Sequence, residues 1–401
     1  MVILNANDWS FSRLLHNITI NPRVLTWARE VAGYSIEHDK VRFKKIYEWE
    51  NGVSSPTYPQ LAMLAEHYKR PIALFLFPEV PEEEPIEQSL RAISNDELIY
   101  LSPKVRFLFR KAHTFQIYLK ELYSDEYSQQ IKKVAWLKQD STNISNLANK
   151  VRDFLSISIE DQKKFGSEDI ALEEWRNTLA NNGVYVFKEA FEDERVSGFC
   201  VYDEVFPIIY LNSSTSKTRQ MFTLFHELAH LLLKQTFLDV YDKNDYWSLE
   251  KESISNTEWN CDKFAANFLI PDSDILSQIK GCIIDVNRVQ ELAKIYKVSR
   301  HVILRKLWDI GIITKSEYYN RIKEIKAPHK NKPESFEKSG GSYYNTKFSY
   351  LGKPYFSLVF KKYYRKEISE LKAAEYLDAK VKSFKEMVNI FLAKEANYVH
   401  I

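Results

Sequence analysis

The segment Phe225-His226-Glu227-Leu228-Ala229-His230-Leu231-Leu232-Leu233 sets two histidines four residues apart, with a glutamate beside the first. Only one backbone conformation lets this pattern act as a unit. On an α-helix, residues four apart lie one above the other on the same face, so both imidazoles reach a single point. On a strand they would stand about 13 Å apart. Zinc accepts imidazole nitrogen at about 2.0–2.1 Å. Glu227, one residue around the helix from His226, can reach a water at such a site without ligating the metal, which is the general-base position. A helix with two hydrogen-bonded core histidines would carry the same letters, but the context favours a metal. Phe222, Phe225, Ala229 and Leu233 mark a buried face, and Ser216-Lys217-Thr218 is a helix-initiating stretch. Ile208 to Asn212, just before it, reads as a strand. Zinc peptidases use such a strand to hold an extended peptide by main-chain hydrogen bonds.

A hydrolytic zinc site keeps three protein ligands and one open position. The third donor is sought in Thr257 to Pro271, which reads as a second helix whose Cys261, Phe264, Ala265 and Phe268 pack on the first. Glu258 opens this helix, a position that the helix dipole also favours for an acid. Asp262 follows at i+4 and is the rival donor. Spacing leaves both standing, with Glu258 slightly ahead. Cys261 reads as a small buried packing residue. Tyr241, Tyr246 and His301 are candidates for stabilising an oxyanion, and the sequence does not choose among them.

The remaining residues bound the molecule around this site. A chain of 401 residues, 45% apolar and 27% charged, is globular and too long for one core. Lys and Arg number 56 against 54 Asp and Glu, so no global basic field points to nucleic acid or anionic lipid. Cys200, Cys261 and Cys282 form neither a disulfide framework nor a thiolate cage. The longest apolar run, Ile72 to Phe77, falls far short of the roughly 20 residues that span a bilayer. No membrane partner is expected, and a reduced, cytoplasmic location is.

Apolar spacing predicts short helices over residues 21–75, with Gly33 and Asn51-Gly52 as stops and Ser35 as an N-cap. Pro78 to Pro85 reads as an acidic linker. Helices are expected over 100–180, then strands at Val184–Phe187, Gly198–Tyr202 and Phe206–Asn212. After the two site helices, residues 287–325 read as helical, Lys326 to Ser342 as a linker, and Leu351-Gly352-Lys353-Pro354 as a hairpin followed by helices. The expected class is α+β. Its parts are a helical module at 1–80, a helical connector at 81–170, a domain at 171–325 with a small sheet and both site helices, and a mixed α/β extension at 326–401.

Arg219 to Leu233, followed by Glu258-x-x-Cys261-Asp262-x-Phe264-Ala265-Ala266-x-Phe268-Leu269-x-Pro271, resembles the ImmA/IrrE metallopeptidases. Val196-Ser197-Gly198-Phe199 and Pro207 to Asn212 are similar to that family too, and Val289 to Ala293, Val298-Ser299-Arg300 and Leu307 resemble its helical tail. The resemblance implies a zincin-like core in which His226, His230 and Glu258 bind Zn2+ and Glu227 is the catalytic base. It also implies a protein substrate that is itself a regulator, such as a repressor or an antitoxin-like partner. Residues 21–77 resemble the XRE-type helix-turn-helix module that often precedes this peptidase, through Trp27-Ala28-Arg29, Ser35-Ile36-Glu37, Glu48 to Gly52 and Pro56 to Ala65. Between Ser35 and Trp49 the chain is about four residues shorter than that pattern, which shortens the recognition segment. Arg42, Lys44 and Lys45 supply basic charge there for duplex DNA or a protein partner. The alternative function is a DNA-binding transcription regulator whose peptidase fold is a sensor or partner platform with little turnover.

Overall fold

The structure, a computed structural model, describes residues 17–83, 101–138, 143–234, 236–240, 256–326 and 343–398. The chain divides into two compact units, Met1–Lys111 and Ala112–Ile401.

In the first unit, α1 (Pro22–Ala32), α2 (Ile36–Arg42), α3 (Ile46–Glu50) and α4 (Tyr58–Tyr68) lead to a 3-10 turn, Ile72–Leu76. Each boundary has a local cause. Asn21 caps α1 by accepting from the Arg23 amide, and Pro22 sits where no intrahelical N–H is needed. Gly33 ends α1 at φ 85°, a left-handed cap that costs glycine nothing. Ser35 caps α2, accepting from the His38 amide. Leu25, Ala28, Ile46, Trp49, Leu61, Leu64 and Phe75 form the core. Arg29 grips Glu50 with two hydrogen bonds, Nε–Oε1 2.7 Å and Nη2–Oε2 3.0 Å. At five residues, α3 is under two turns long. Only the first part of the expected acidic linker, up to Glu83, lies within the described residues.

The second unit holds a four-stranded sheet ordered β1 (Tyr185–Glu189), β3 (Ile208–Asn212), β2 (Val196–Val201), β4 (Phe237–Val240). β1 runs parallel to β3, and the other pairs are antiparallel. Side chains alternate across the pleat, so one face is aliphatic and the other aromatic. Val186, Cys200, Ile209 and Leu211 join the core cluster that holds the site helices. Tyr185, Phe187, Phe199 and Tyr210 form the opposite, aromatic set. The apolar runs in sequence are therefore two-faced strands buried on both sides.

On the aliphatic face lies α10 (Lys217–Leu232), flanked by α9 (Glu168–Asn181) and α11 (Asn256–Leu269). Earlier in this unit come the second half of α5 (Pro103–Leu122), α6 (Tyr127–Val134), α7 (Ile144–Leu155) and α8 (Ile159–Lys164). After α11 follow α12 (Asp272–Ile279), α13 (Val286–Tyr296), α14 (Arg300–Asp309) and α15 (Lys315–Lys326). Ser216 caps α10 as expected, accepting from the Arg219 amide. The one-sided burial expected for α10 is not found: every residue from Gln220 to Leu232 is buried. Sheet, α9 and α11 enclose it from different sides. Trp175 of α9 meets Phe225 edge-on at 5.1 Å, and Phe225 stacks on Phe268 of α11 at 4.0 Å.

The approach of α10 to the sheet depends on Gly198. A Cβ at this position would lie 2.6 Å from Thr223 Cγ2 and 2.9 Å from the Tyr210 carbonyl oxygen. One obstacle is backbone and the other is a buried side chain on α10, so neither yields cheaply. Gly198→Ala is expected to destabilise the fold by about 1–3 kcal/mol. Urea denaturation measures this, and a change below about 0.5 kcal/mol would show that the layer spacing is soft.

The expected hairpin near Gly352 is corrected by the structure. The described residues after 342 form helices, α16 (Tyr343–Leu351), α17 (Lys353–Tyr364), α18 (Glu370–Tyr376) and α19 (Val381–Tyr398), with no strand among them, so the described part of the expected mixed α/β extension is helical. Gly352, at φ 81°, separates two helices instead of turning a hairpin. Pro354 lies in the first turn of α17, where a missing N–H costs nothing. These helices cover the aromatic face of the sheet. Tyr355 packs edge-on against Phe187 at 5.2 Å, and Arg176 donates to the Ser349 and Tyr350 carbonyls. The expected linker at 326–342 lies almost wholly outside the described residues.

Candidate metal centre

His226 and His230 project from successive turns of α10, and Glu258 from the first turn of α11. The structure brings these three together. His226 Nε2 lies 3.1 Å from His230 Nε2 and 3.3 Å from Glu258 Oε2, and His230 Nε2 lies 3.4 Å from Glu258 Oε1. Donors bound tetrahedrally at about 2.0–2.1 Å stand about 3.3–3.4 Å apart, so the set fits a zinc ion with little adjustment.

Asp262, the rival third donor in the sequence, takes a different place. Its Oδ1 is 2.9 Å from His226 Nδ1, the ring nitrogen away from the cluster. An imidazole that donates from Nδ1 keeps its lone pair on Nε2, so this contact sets the tautomer that points a free pair at the other donors. His230 is held by ring stacking on Phe237 of β4, with centroids 3.9 Å apart and planes 10° from parallel. Neither role was read from the sequence. Asp262 carried a signal, since residues i and i+4 share a helix face. Phe237 sits on a four-residue edge strand too short to announce itself.

Glu227 is fully buried, and neither carboxylate oxygen makes a hydrogen bond of normal geometry with a described residue. Desolvation is the main cause that pushes its carboxyl up to about 8. The His226 charge and the neighbouring Cys200 thiol oppose this, and the Glu258 charge adds to it. Glu258 moves the other way. Burial is the largest single influence and pushes it up, yet the hydrogen bonds and charges of both histidines together bring it down to about 2. The two carboxyls of this cluster are thus driven apart, Glu258 toward the anion and Glu227 toward the protonated acid.

Cys261 is buried in the core cluster, as its sequence context suggested. Tyr241 and Tyr246 lie outside the described residues, and His301 sits in the first turn of α14. In the first unit, Arg42, Lys44 and Lys45 are exposed at the end of α2 and in the turn before α3.

No described helix is long and apolar enough to cross a membrane. No curated protein matches the chain. Residues 180–307 match the family model of the IrrE N-terminal-like domain, Peptidase M78, a span that holds the whole sheet, α10 and α11. That match, over about one third of the chain, supports the ImmA/IrrE relationship for this domain and a metallopeptidase in general.

Proposed function

We propose that the chain is a zinc-dependent endopeptidase that cuts a cytoplasmic regulatory protein, such as a repressor or an antitoxin-like partner. His226, His230 and Glu258 hold the zinc, and Glu227 is the general base. The observation that carries this reading is the mutual spacing of the three donor atoms, 3.1–3.4 Å, beside the fully buried carboxyl of Glu227. When bound, zinc supplies Lewis acidity toward a peptide carbonyl and toward water. Glu227 accepts a proton from the water that attacks the carbonyl carbon, and delivers it to the amine nitrogen as the C–N bond breaks. Asp262 keeps His226 in its ligating tautomer, and Phe237 keeps the His230 ring from turning.

A purified full-length chain is expected to cut a proteome-derived peptide library, or the protein encoded beside it, at internal bonds. Chelation is expected to abolish the cut and added zinc to restore it. Cleavage that survives complete removal of metal would contradict the reading. We further read residues 17–80 as a regulatory module that meets its partner through Arg42, Lys44 and Lys45. The five-residue α3 favours protein contact over major-groove readout of duplex DNA.

A further inference from the structure

A second set of convergent donors lies in the first unit, apart from the candidate peptidase centre and independent of the reading of it. Asp39 of α2 is fully buried. Its Oδ1 is 2.9 Å from His67 Nε2 and 3.1 Å from His38 Nδ1, and one donor atom from each of the three residues lies within 4.8 Å of the others. The second carboxylate oxygen accepts from the Tyr68 hydroxyl at 2.6 Å, which fixes the plane of the group. The imidazoles are held as well. Tyr34 stacks on His67 at 4.1 Å and on His38 at 5.2 Å, and the two histidine planes lie within 2° of parallel. One flank of this set is open, since the His38 side chain is 61% exposed while that of His67 is 7% exposed.

We infer that His38, Asp39 and His67 form a binding site for a divalent transition-metal cation that controls the Arg42 guanidinium. Two nitrogens and one carboxylate oxygen suit a borderline cation such as zinc, with solvent completing the coordination at the His38 side. The two separations from Asp39 Oδ1, 2.9 and 3.1 Å, need to open by only a few tenths of an ångström to reach the tetrahedral value of about 3.3–3.4 Å, and the two imidazole donors already lie within 4.8 Å of each other. The link to Arg42 follows from proton positions. Arg42 Nη1 is 3.3 Å from His67 Nδ1. A guanidinium only donates, so Nδ1 accepts, and the ring proton sits on Nε2 facing Asp39. A cation on Nε2 requires the proton to move to Nδ1. His38 makes the reverse move, from Nδ1 to Nε2, so both rings stay neutral. Two donors then face each other at His67 Nδ1, and Arg42 is released to join the exposed Lys44 and Lys45. Metal and the Arg42 contact therefore compete for one imidazole.

The test is a chelator-buffered zinc titration of the metal-stripped full-length chain. Two ions per chain are expected. His38→Ala, a change at an exposed side chain that leaves the core intact, should weaken one of them at least tenfold and leave the other unchanged. Arg42→Met, also at the surface, should tighten that same ion several-fold by removing its competitor. An ion count and affinities that are the same in His38→Ala as in wild type, whether one ion is bound or two, would overturn the site. An Arg42→Met affinity equal to or weaker than wild type would overturn the coupling. Loss of the other ion in Glu258→Gln would report on the candidate peptidase centre alone.

Discussion

Glu227→Gln is expected to lower turnover by about 10²–10⁴-fold while metal content stays as in wild type. The amide matches the carboxylate in shape but cannot take a proton from water. Metal should be retained because the three convergent donors come from other residues. The substitution has a second consequence that a merely structural glutamate would not produce. A fully buried carboxylate costs the fold its desolvation, which is the main reason its proton affinity rises. A neutral amide avoids part of that cost, so the metal-free variant should melt no lower than wild type. Activity and stability would then move in opposite directions, as at sites where function opposes stability. A variant that still cleaves at more than about a tenth of the wild-type rate would remove Glu227 from the reaction.

Arg152→Met is expected to cost about 2–5 kcal/mol of stability, read from urea midpoints. Arg152 sits on α7, 7% exposed, and gives the last turn of α11 what a helix end lacks. Its Nε and Nη2 donate to the Phe268 carbonyl, Nη1 to the Ile157 carbonyl at 3.1 Å, and Nη2 to Gln162 Oε1 at 2.7 Å. Gln162 in turn donates to the Leu269 and Tyr296 carbonyls. The guanidinium also lies over the Phe268 ring at 4.6 Å. Burial brings its own proton affinity down to about 10, still far above neutrality, so the charge is held throughout. Methionine fills much of the volume but leaves these acceptors buried and unpaired. Because Glu258 opens the helix that Arg152 closes, the loss should also loosen the proposed metal centre. Arg152→Lys keeps a charge without the fork and should fall between. A loss below about 0.5 kcal/mol for Arg152→Met would mean that water replaces the fork at no cost.

The parts of the site legible in sequence are those fixed within one helix. The stacking of His226 over His230 follows from helical pitch, and the start at Ser216 follows from capping chemistry. The choice between Glu258 and Asp262 was not of that kind. Both lie on one face of α11, and only the approach of α11 to α10 sends one to Nε2 and the other to Nδ1 of His226. Strands β1 to β3 were legible because each is a dense run of β-branched and aromatic residues. Which alternate residues met helices and which met the aromatic layer was not, since both faces are apolar. Gly352 and Pro354 misled for a physical reason: a glycine with a proline two residues on suits a turn and equally suits the end of one helix and the first turn of the next. The cluster around Asp39 is divided between α2 and α4, residues far apart in the chain, and no local pattern announces it.

The proposed peptidase stands or falls with one divalent ion held among His226, His230 and Glu258. Anomalous diffraction at the zinc edge from crystals of the full-length chain tests it most directly. A peak is expected at about 2.0–2.2 Å from the Nε2 atoms of both histidines and from a Glu258 oxygen, with Glu227 outside the coordination shell. A zinc-loaded crystal without a peak among those side chains would contradict it.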